Sequence, residues 1–335
     1  MHTNRKLSMM LIMSNTMRRV AILESIFGNA DIERAALEPR GFEVSYHHVF
    51  SEDEIIAVAR GACAILLEAA HITPRVLDAL PDVRVISRYG VGYDTINVEA
   101  ATARGVAVMN VPDYCMDEVA EHAIALMFAL SRGVVDHNNM VRHGGWVTNR
   151  YGVRTLVGRN FGIVGFGRIG KAAAWRAAAL GMNVLAYDIN PVPLPGVRVK
   201  FTASLEELLQ QADVVSLHVP LIATTRNLIG ANELALMKPD AILINTARGA
   251  VVNQDALVEA LQNGRISGAA ADVHTAEPIP ADSPLFSLPH FIITTHIAYY
   301  SPDSQNKLRH MVAENIADFF DGKGETHIVN GIRYK

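Results

Sequence analysis

Cysteine is scarce in this chain. Only Cys63 and Cys115 occur among 335 residues, and neither belongs to a Cys-x-x-Cys pair. That argues against a disulfide framework, and lone thiols beside apolar segments fit a reducing, cytoplasmic setting. Long apolar runs are also missing: the longest reach about nine residues, well short of the roughly 20 that span a bilayer. Basic clusters are absent too. Thirty Lys and Arg against 34 Asp and Glu leave a formal net charge of −4, so neither nucleic acid nor an anionic membrane is expected as partner. No His-Glu-x-x-His or His-x-His pattern occurs, and the adjacent His47 and His48 point to opposite faces of a strand. No metal site is expected.

Half the residues are apolar, and the length exceeds that of an ordinary single domain, so two domains are expected. Residues 1–16 lack a small-residue cleavage site, and Met17-Arg-Arg-Val-Ala-Ile-Leu23 leads directly into a strand. A loose extension fits better than a secretion signal.

From residue 19 to 110 the pattern alternates, with strand-like runs at 20–23, 42–46, 63–67, 83–86 and 106–109 and helical segments between. Ser51-x-x-Glu54 has capping-box form. This predicts a parallel sheet with covering helices. Residues 114–131 read as one helix, apolar nearly all round and therefore buried between elements or subunits. Residues 137–151, with Gly144-Gly145-Trp146, read as a polar loop. Six further strands follow at 161–164, 184–187, 214–217, 241–244, 268–271 and 291–294, the set a doubly wound dinucleotide fold requires. The helix at 304–320 is surplus to that set and could return to complete the first domain.

The densest signal is Phe161-Gly-Ile-Val-Gly-Phe-Gly-Arg-Ile-Gly170, a strand feeding Gly165-x-Gly167-x-x-Gly170 and then an Ala-rich helix. Asp188 closes the next strand, 23 residues after Gly165. The glycines permit a tight turn, a close approach to pyrophosphate and close helix packing, while Asp188 accepts from ribose hydroxyls and repels a 2′-phosphate. NAD is the expected cofactor.

Three predicted strand ends carry Arg248 in Asn245-Thr-Ala-Arg-Gly, Glu277 in Asp272-Val-His-Thr-Ala-Glu-Pro, and His296 in Thr294-Thr-His-Ile. An arginine can bind a carboxylate and polarise a carbonyl. A histidine can exchange the hydroxyl proton, and a carboxylate can orient the imidazole and hold its charged form. Those are the parts hydride transfer to a 2-oxo acid needs.

With their flanks, these segments resemble the D-isomer-specific 2-hydroxyacid dehydrogenases over residues 18–330. The stretch Asn110-Val-Pro-Asp-Tyr-Cys-Met-Asp-Glu-Val-Ala-Glu-His122 looks most like the C-terminal-binding-protein-like branch. The resemblance implies a Rossmann NAD domain at 113–297 inserted into a flavodoxin-like substrate domain formed by 17–112 and 298–335. It implies Arg248, Glu277 and His296 as catalytic residues, with Arg168, Ile169, Asp188, His218, Pro220, Thr225, Thr246 and Asp272 at the cofactor. It implies Val91 and Gly92 at the substrate carboxylate, together with Arg248 and His296, and a homodimer. Two alternatives stand beside this reading. One is an NADH-sensing corepressor-like protein, which a basic patch or partner-recognition segment would favour. The other is a phosphoglycerate dehydrogenase, which needs a cation where Leu67-Glu68-Ala-Ala-His71 offers an acid.

Overall fold

The structure is a computed structural model that describes residues 17–147, 154–323 and 327–334. The expected extension, 1–16, lies outside the described residues, as does the end of the expected 137–151 loop. The chain divides into two compact units: Cys115–Ser301, and the residues up to Tyr114 together with those from Pro302 onward.

The first unit opens with β1 (Arg18–Ile22), α1 (Asp31–Leu37), β2 (Phe42–Tyr46), α2 (Glu52–Ala59) and β3 (Ala64–Leu67). It continues through α3 (Pro74–Ala79), β4 (Val85–Arg88), α4 (Val98–Ala103) and β5 (Ala107–Met109). The strands pair in parallel in the order β2-β1-β3-β4-β5, a flavodoxin-like sheet. β3 reads Ala-Ile-Leu-Leu and is buried throughout, as a parallel strand covered on both faces must be. The capping box at α2 forms: Ser51 accepts from the Glu54 N–H, and Glu54 accepts from the Ser51 N–H, worth about 1 kcal/mol.

The second unit begins with α5 (Met116–Ser131), whose residues Val119, Ala120, Ala123, Leu126 and Met127 are buried. The segment expected to be a loop instead starts with α6 (Val134–Arg142). Asp, His and Asn residues with poor helix propensity mask it, and Gly133 at φ +60° turns the chain into it. The sheet strands follow: β6 (Asn160–Val164), β7 (Asn183–Tyr187), β8 (Val199–Phe201), β9 (Val214–Leu217), β10 (Ile242–Asn245), β11 (Gly268–Ala271) and β12 (Phe291–Ile293). Helices α7 (Arg168–Ala179), α8 (Leu205–Gln211), α9 (Ala231–Leu236) and α10 (Gln254–Gln262) cross over between them. The order is β12-β11-β10-β9-β6-β7-β8, all parallel. Seven strands replace the expected six. β8 is a three-residue edge strand with Lys200 at its centre, too short and too charged to stand out as a strand.

α11 (Pro302–Phe320) completes the first unit, burying Leu308, Val312, Ala313, Ile316 and Phe319. Its Arg309 forks onto Glu33 of α1 at 2.9 and 2.7 Å, and Glu33 also accepts from the Tyr89 hydroxyl at 3.1 Å. Glu33 is fully buried, so this pair needs both partners: removing one strands a charge. Among the described residues no helix is long and apolar enough to cross a membrane.

Candidate active site

The glycine turn follows β6. Gly165 sits at φ +92°, where a side chain is strained, and a Cβ there would stand 2.7 Å from the His218 carbonyl oxygen. A Cβ on Gly170 would come within 2.3 Å of the Gly165 oxygen, so α7 rests directly on the turn. At Gly167, by contrast, nothing lies within 4 Å of the Cβ position. Arg168 and Ile169 then open α7, whose first turn has no side-chain cap. Open space before uncapped helix N–H groups is a cradle for an anion.

Asp188 ends β7 with one oxygen on the Phe166 N–H at 2.6 Å and the other on the Asn190 N–H at 2.8 Å. The carboxylate is thereby tied to the turn, with lone pairs left for hydroxyl donors. His218 pairs through Nε2 with Ser216 at 2.9 Å, and burial pushes its pKa down to about 4. Thr225 closes a turn onto the Pro220 carbonyl at 2.5 Å. At the end of β10 the Thr246 hydroxyl is buried with no hydrogen-bond partner among the described residues, a cost that a ligand group would remove. An open glycine, an orphaned hydroxyl and an oriented carboxylate along one sheet edge fit a dinucleotide.

The three expected catalytic residues follow β10, β11 and β12. Asn245 accepts from the Ala247 N–H and donates to the Arg248 carbonyl, turning the chain sharply. The Arg248 guanidinium lies on the Ala247 carbonyl at 2.8 Å. A Cβ at Gly249 would stand 2.0 Å from the His274 carbonyl carbon, so the Arg248 loop touches the Glu277 loop backbone to backbone. Glu277 bridges two donors: the His274 N–H at 2.7 Å and His296 Nδ1 at 2.6 Å. Burial alone would raise the Glu277 carboxyl, but the bonds from His296 and His274 outweigh it and hold it below its ordinary value. With Nδ1 on a carboxylate, the second ring nitrogen, Nε2, has no partner among the described residues. His296 itself adopts φ +54°, an uncommon conformation for a residue with a side chain.

Asp272 stabilises that turn. Its fully buried carboxylate accepts from the Thr294 hydroxyl and from the Ile297 and Ala298 N–H groups at 2.5–2.9 Å, and its carbonyl accepts from the His296 N–H at 2.7 Å. Named above among the cofactor residues, Asp272 is fully buried and supports the His296 turn through these bonds. His122 of α5 joins the same cluster, 3.1 Å from the Thr294 hydroxyl. The roles of Gly249, His274 and His122 escaped the sequence reading. Only the Arg248-Gly249 pair held a hint of the close loop contact.

In the first unit Val91 and Gly92 follow β4. Nearby, Glu24 is 3% exposed and accepts from the N–H groups of Glu68, Ala69 and Ala70 at 2.7–2.8 Å, while Glu68 accepts from the Ile26 N–H at 3.0 Å. Two carboxylates thus occupy the amides at this edge. Among the described residues no group of His, Cys, Asp and Glu could hold a metal ion.

A sequence model described as the NAD-binding domain of the D-isomer-specific 2-hydroxyacid dehydrogenases matches residues 124–298. The glycerate dehydrogenase of Methylorubrum extorquens is 37% identical over 308 residues, covering 87% of this chain and 96% of that protein. The glyoxylate reductase of Korarchaeum cryptofilum is 42% identical over 264 residues, 77% of this chain and 80% of its own. Among solved structures, the D-lactate dehydrogenase of Aquifex aeolicus complexed with NAD and lactic acid superposes with a TM-score of 0.84 at 28% identity, covering 93% and 99% of the two chains. These similarities reach the family without separating out its C-terminal-binding-protein-like branch.

Proposed function

This chain belongs to the D-isomer-specific 2-hydroxyacid dehydrogenase family, and from that premise we propose that it interconverts a small 2-oxo acid and its D-2-hydroxy acid with NAD(H). The observation that carries the reading is the 2.6 Å contact of Glu277 with His296 Nδ1, which leaves the other imidazole nitrogen for a substrate proton. The nicotinamide, when bound, supplies or accepts the hydride. In reduction, His296 Nε2–H gives its proton to the carbonyl oxygen, while Glu277 stabilises the imidazolium beforehand and keeps the ring oriented. In oxidation the neutral ring takes the hydroxyl proton back. Arg248 holds the carboxylate and polarises the carbonyl, and in the first unit the Val91 and Gly92 backbone N–H groups are suited to a carboxylate.

Asp188 favours NADH over NADPH, because a 2′-phosphate would bring its charge against the carboxylate. Glu24 and Glu68 disfavour a phosphorylated substrate at the first unit's edge. A homodimer is supported by the exposed apolar side chains of α6 and its sequel: Val134 and Val141 are more than half exposed, and Trp146 is 79% exposed. A cytoplasmic setting is supported by the two thiols, neither in a disulfide, with Cys115 buried and Cys63 pushed by burial up to about 11, and so protonated and inert.

A panel of 2-oxo acids with NADH, read as loss of NADH absorbance, tests the assignment. Turnover of glyoxylate, hydroxypyruvate or pyruvate is the expected result. An inert panel with intact NADH binding would favour the NADH-sensing alternative instead.

A further inference from the structure

The Val91–Gly92 loop has no side-chain donor, so what it can bind depends on where two peptide N–H groups point. The Gly90 carbonyl accepts from the Val111 N–H at 2.9 Å, and the Val91 carbonyl accepts from Asn110 Nδ2 at 2.7 Å. In a trans peptide the C=O and the following N–H point in opposite directions. Tying both carbonyls to residues 110 and 111 therefore turns the Val91 and Gly92 N–H groups the other way. Among the described residues neither N–H finds an acceptor.

One of the two tethers is a backbone group that continues the β4–β5 ladder. The other is a side chain, and it is itself braced. Asn110 is 7% exposed, its N–H donates to the His327 carbonyl at 3.2 Å, and its carbonyl accepts from Asn315 Nδ2 at 3.1 Å. Asn315 comes from α11 and is 4% exposed. It also donates to the Ser87 hydroxyl at 3.3 Å, and its Oδ1 lies 2.6 Å from His327 Nδ1. With the Asn110 Nδ2, N–H and carbonyl all engaged, and both amide ends of Asn315 bonded, this polar cluster restrains Asn110 to one geometry.

We propose that Asn110, braced by Asn315 of the C-terminal helix, is a positioning residue for substrate: it fixes the Val91 carbonyl so that the Gly92 N–H faces the substrate carboxylate. The proposal rests on the 2-oxo acid reading above. Without the Nδ2 donor the peptide between Val91 and Gly92 loses its restraint, and the cost falls on binding of the carboxylate. Proton transfer at His296 and NADH binding at the glycine turn do not pass through this peptide.

The test compares wild type with Asn110→Asp, Asn110→Ala and Asn315→Ala, measuring KM and kcat for glyoxylate, NADH affinity by fluorescence, and oxamate affinity in the presence of NADH. Asn110→Asp keeps the side-chain shape but replaces the donor with an oxygen that repels the Val91 carbonyl. Both Asn110 variants should raise KM and weaken oxamate about tenfold or more, the loss expected when a hydrogen bond to a charged group is misaimed. kcat and NADH affinity should stay within about threefold of wild type, too small a change to signal a lost catalytic hydrogen bond. Asn315→Ala should shift KM in the same direction by about two- to fivefold, the scale of one neutral hydrogen bond. A merely space-filling role would let Asn110→Asp behave like wild type, and that result would overturn the proposal. So would a parallel fall in kcat and NADH affinity. If Asn110→Ala fails to fold, the Asp and Asn315 variants decide the matter. A wild-type protein that reduces no 2-oxo acid would instead sink the underlying reading and the proposal with it.

Discussion

The carboxyl edges of the two sheets present different groups. On the seven-stranded sheet side chains are presented directly: Asp188 after β7, Arg248 after β10, Glu277 after β11 and His296 after β12. On the five-stranded sheet, at the Val91–Gly92 turn, the groups proposed for substrate are backbone N–H donors, and side chains act on the backbone. Asn110 holds a carbonyl, and Glu24 takes up three amides. A side-chain site fails at one substitution because the reacting group itself is lost. A backbone site can be reached only through the residues that brace it, so its failures are smaller and fall on binding.

Four predictions sharpen that contrast. The largest effect should come from His296→Asn, which removes the acid–base group and should lower kcat by on the order of 10²–10⁴-fold. NADH affinity should survive, since the glycine turn and Asp188 are untouched; fluorescence titration beside steady-state kinetics checks both. In the first unit, Arg309→Ala strands the buried Glu33 carboxylate and should cost about 3–5 kcal/mol of stability. Thermal unfolding with and without NADH would reveal it, and loss of NADH affinity in the folded variant would break the separation drawn here.

Cofactor choice comes next in size. A carboxylate–phosphate contact near 4 Å at an effective dielectric of about 20 gives roughly 4 kcal/mol of repulsion before relaxation. After screening, NADH should be favoured over NADPH about 30- to 150-fold in kcat/KM. Asp188→Ser should shrink that ratio, and equal use of both cofactors by the wild type would remove Asp188 from the role. The remaining effect, of similar size, is a pH dependence of stability. His218 titrates at about 4 when folded, below its ordinary value near 6.5, so the unfolded chain binds the extra proton between those limits. Stability from this group is complete above about pH 6.5 and is lost as pH falls toward 4, roughly 3 kcal/mol in all at about 1.4 kcal/mol per pH unit. Denaturant titrations at pH 4.5 and 7 should show the difference, and His218→Gln should flatten it.

The two edges also differ in how far they could be read beforehand. The glycine turn and Asp188 announce themselves because close approach and charge each demand a particular residue type at a particular spacing. Arg248, Glu277 and His296 stand out because ionisable side chains at strand ends are chemically specific. Asn110 and Glu24 carry no such mark: an amide on a carbonyl and a carboxylate on three amides look, in a sequence, like any polar residue after a strand. The same holds for Asp272, which the family pattern assigns to the cofactor while its buried oxygens serve the His296 turn. Helix Val134–Arg142 and strand Val199–Phe201 were missed for a related reason, since neither buries a residue and so neither needs an apolar pattern.

His296 is the group proposed to move the proton, and pH–rate profiles in both directions test that most directly. Reduction consumes a proton, so its rate should fall as pH rises and His296 loses its charge. Oxidation releases one, so its rate should fall as pH drops. Glu277→Gln keeps the side-chain shape but removes the charge that faces His296 Nδ1, and its reduction rate should lie below that of wild type. Profiles for wild type and Glu277→Gln that coincide across pH 5–10, a span of about five units around the ordinary histidine range, would contradict the assignment.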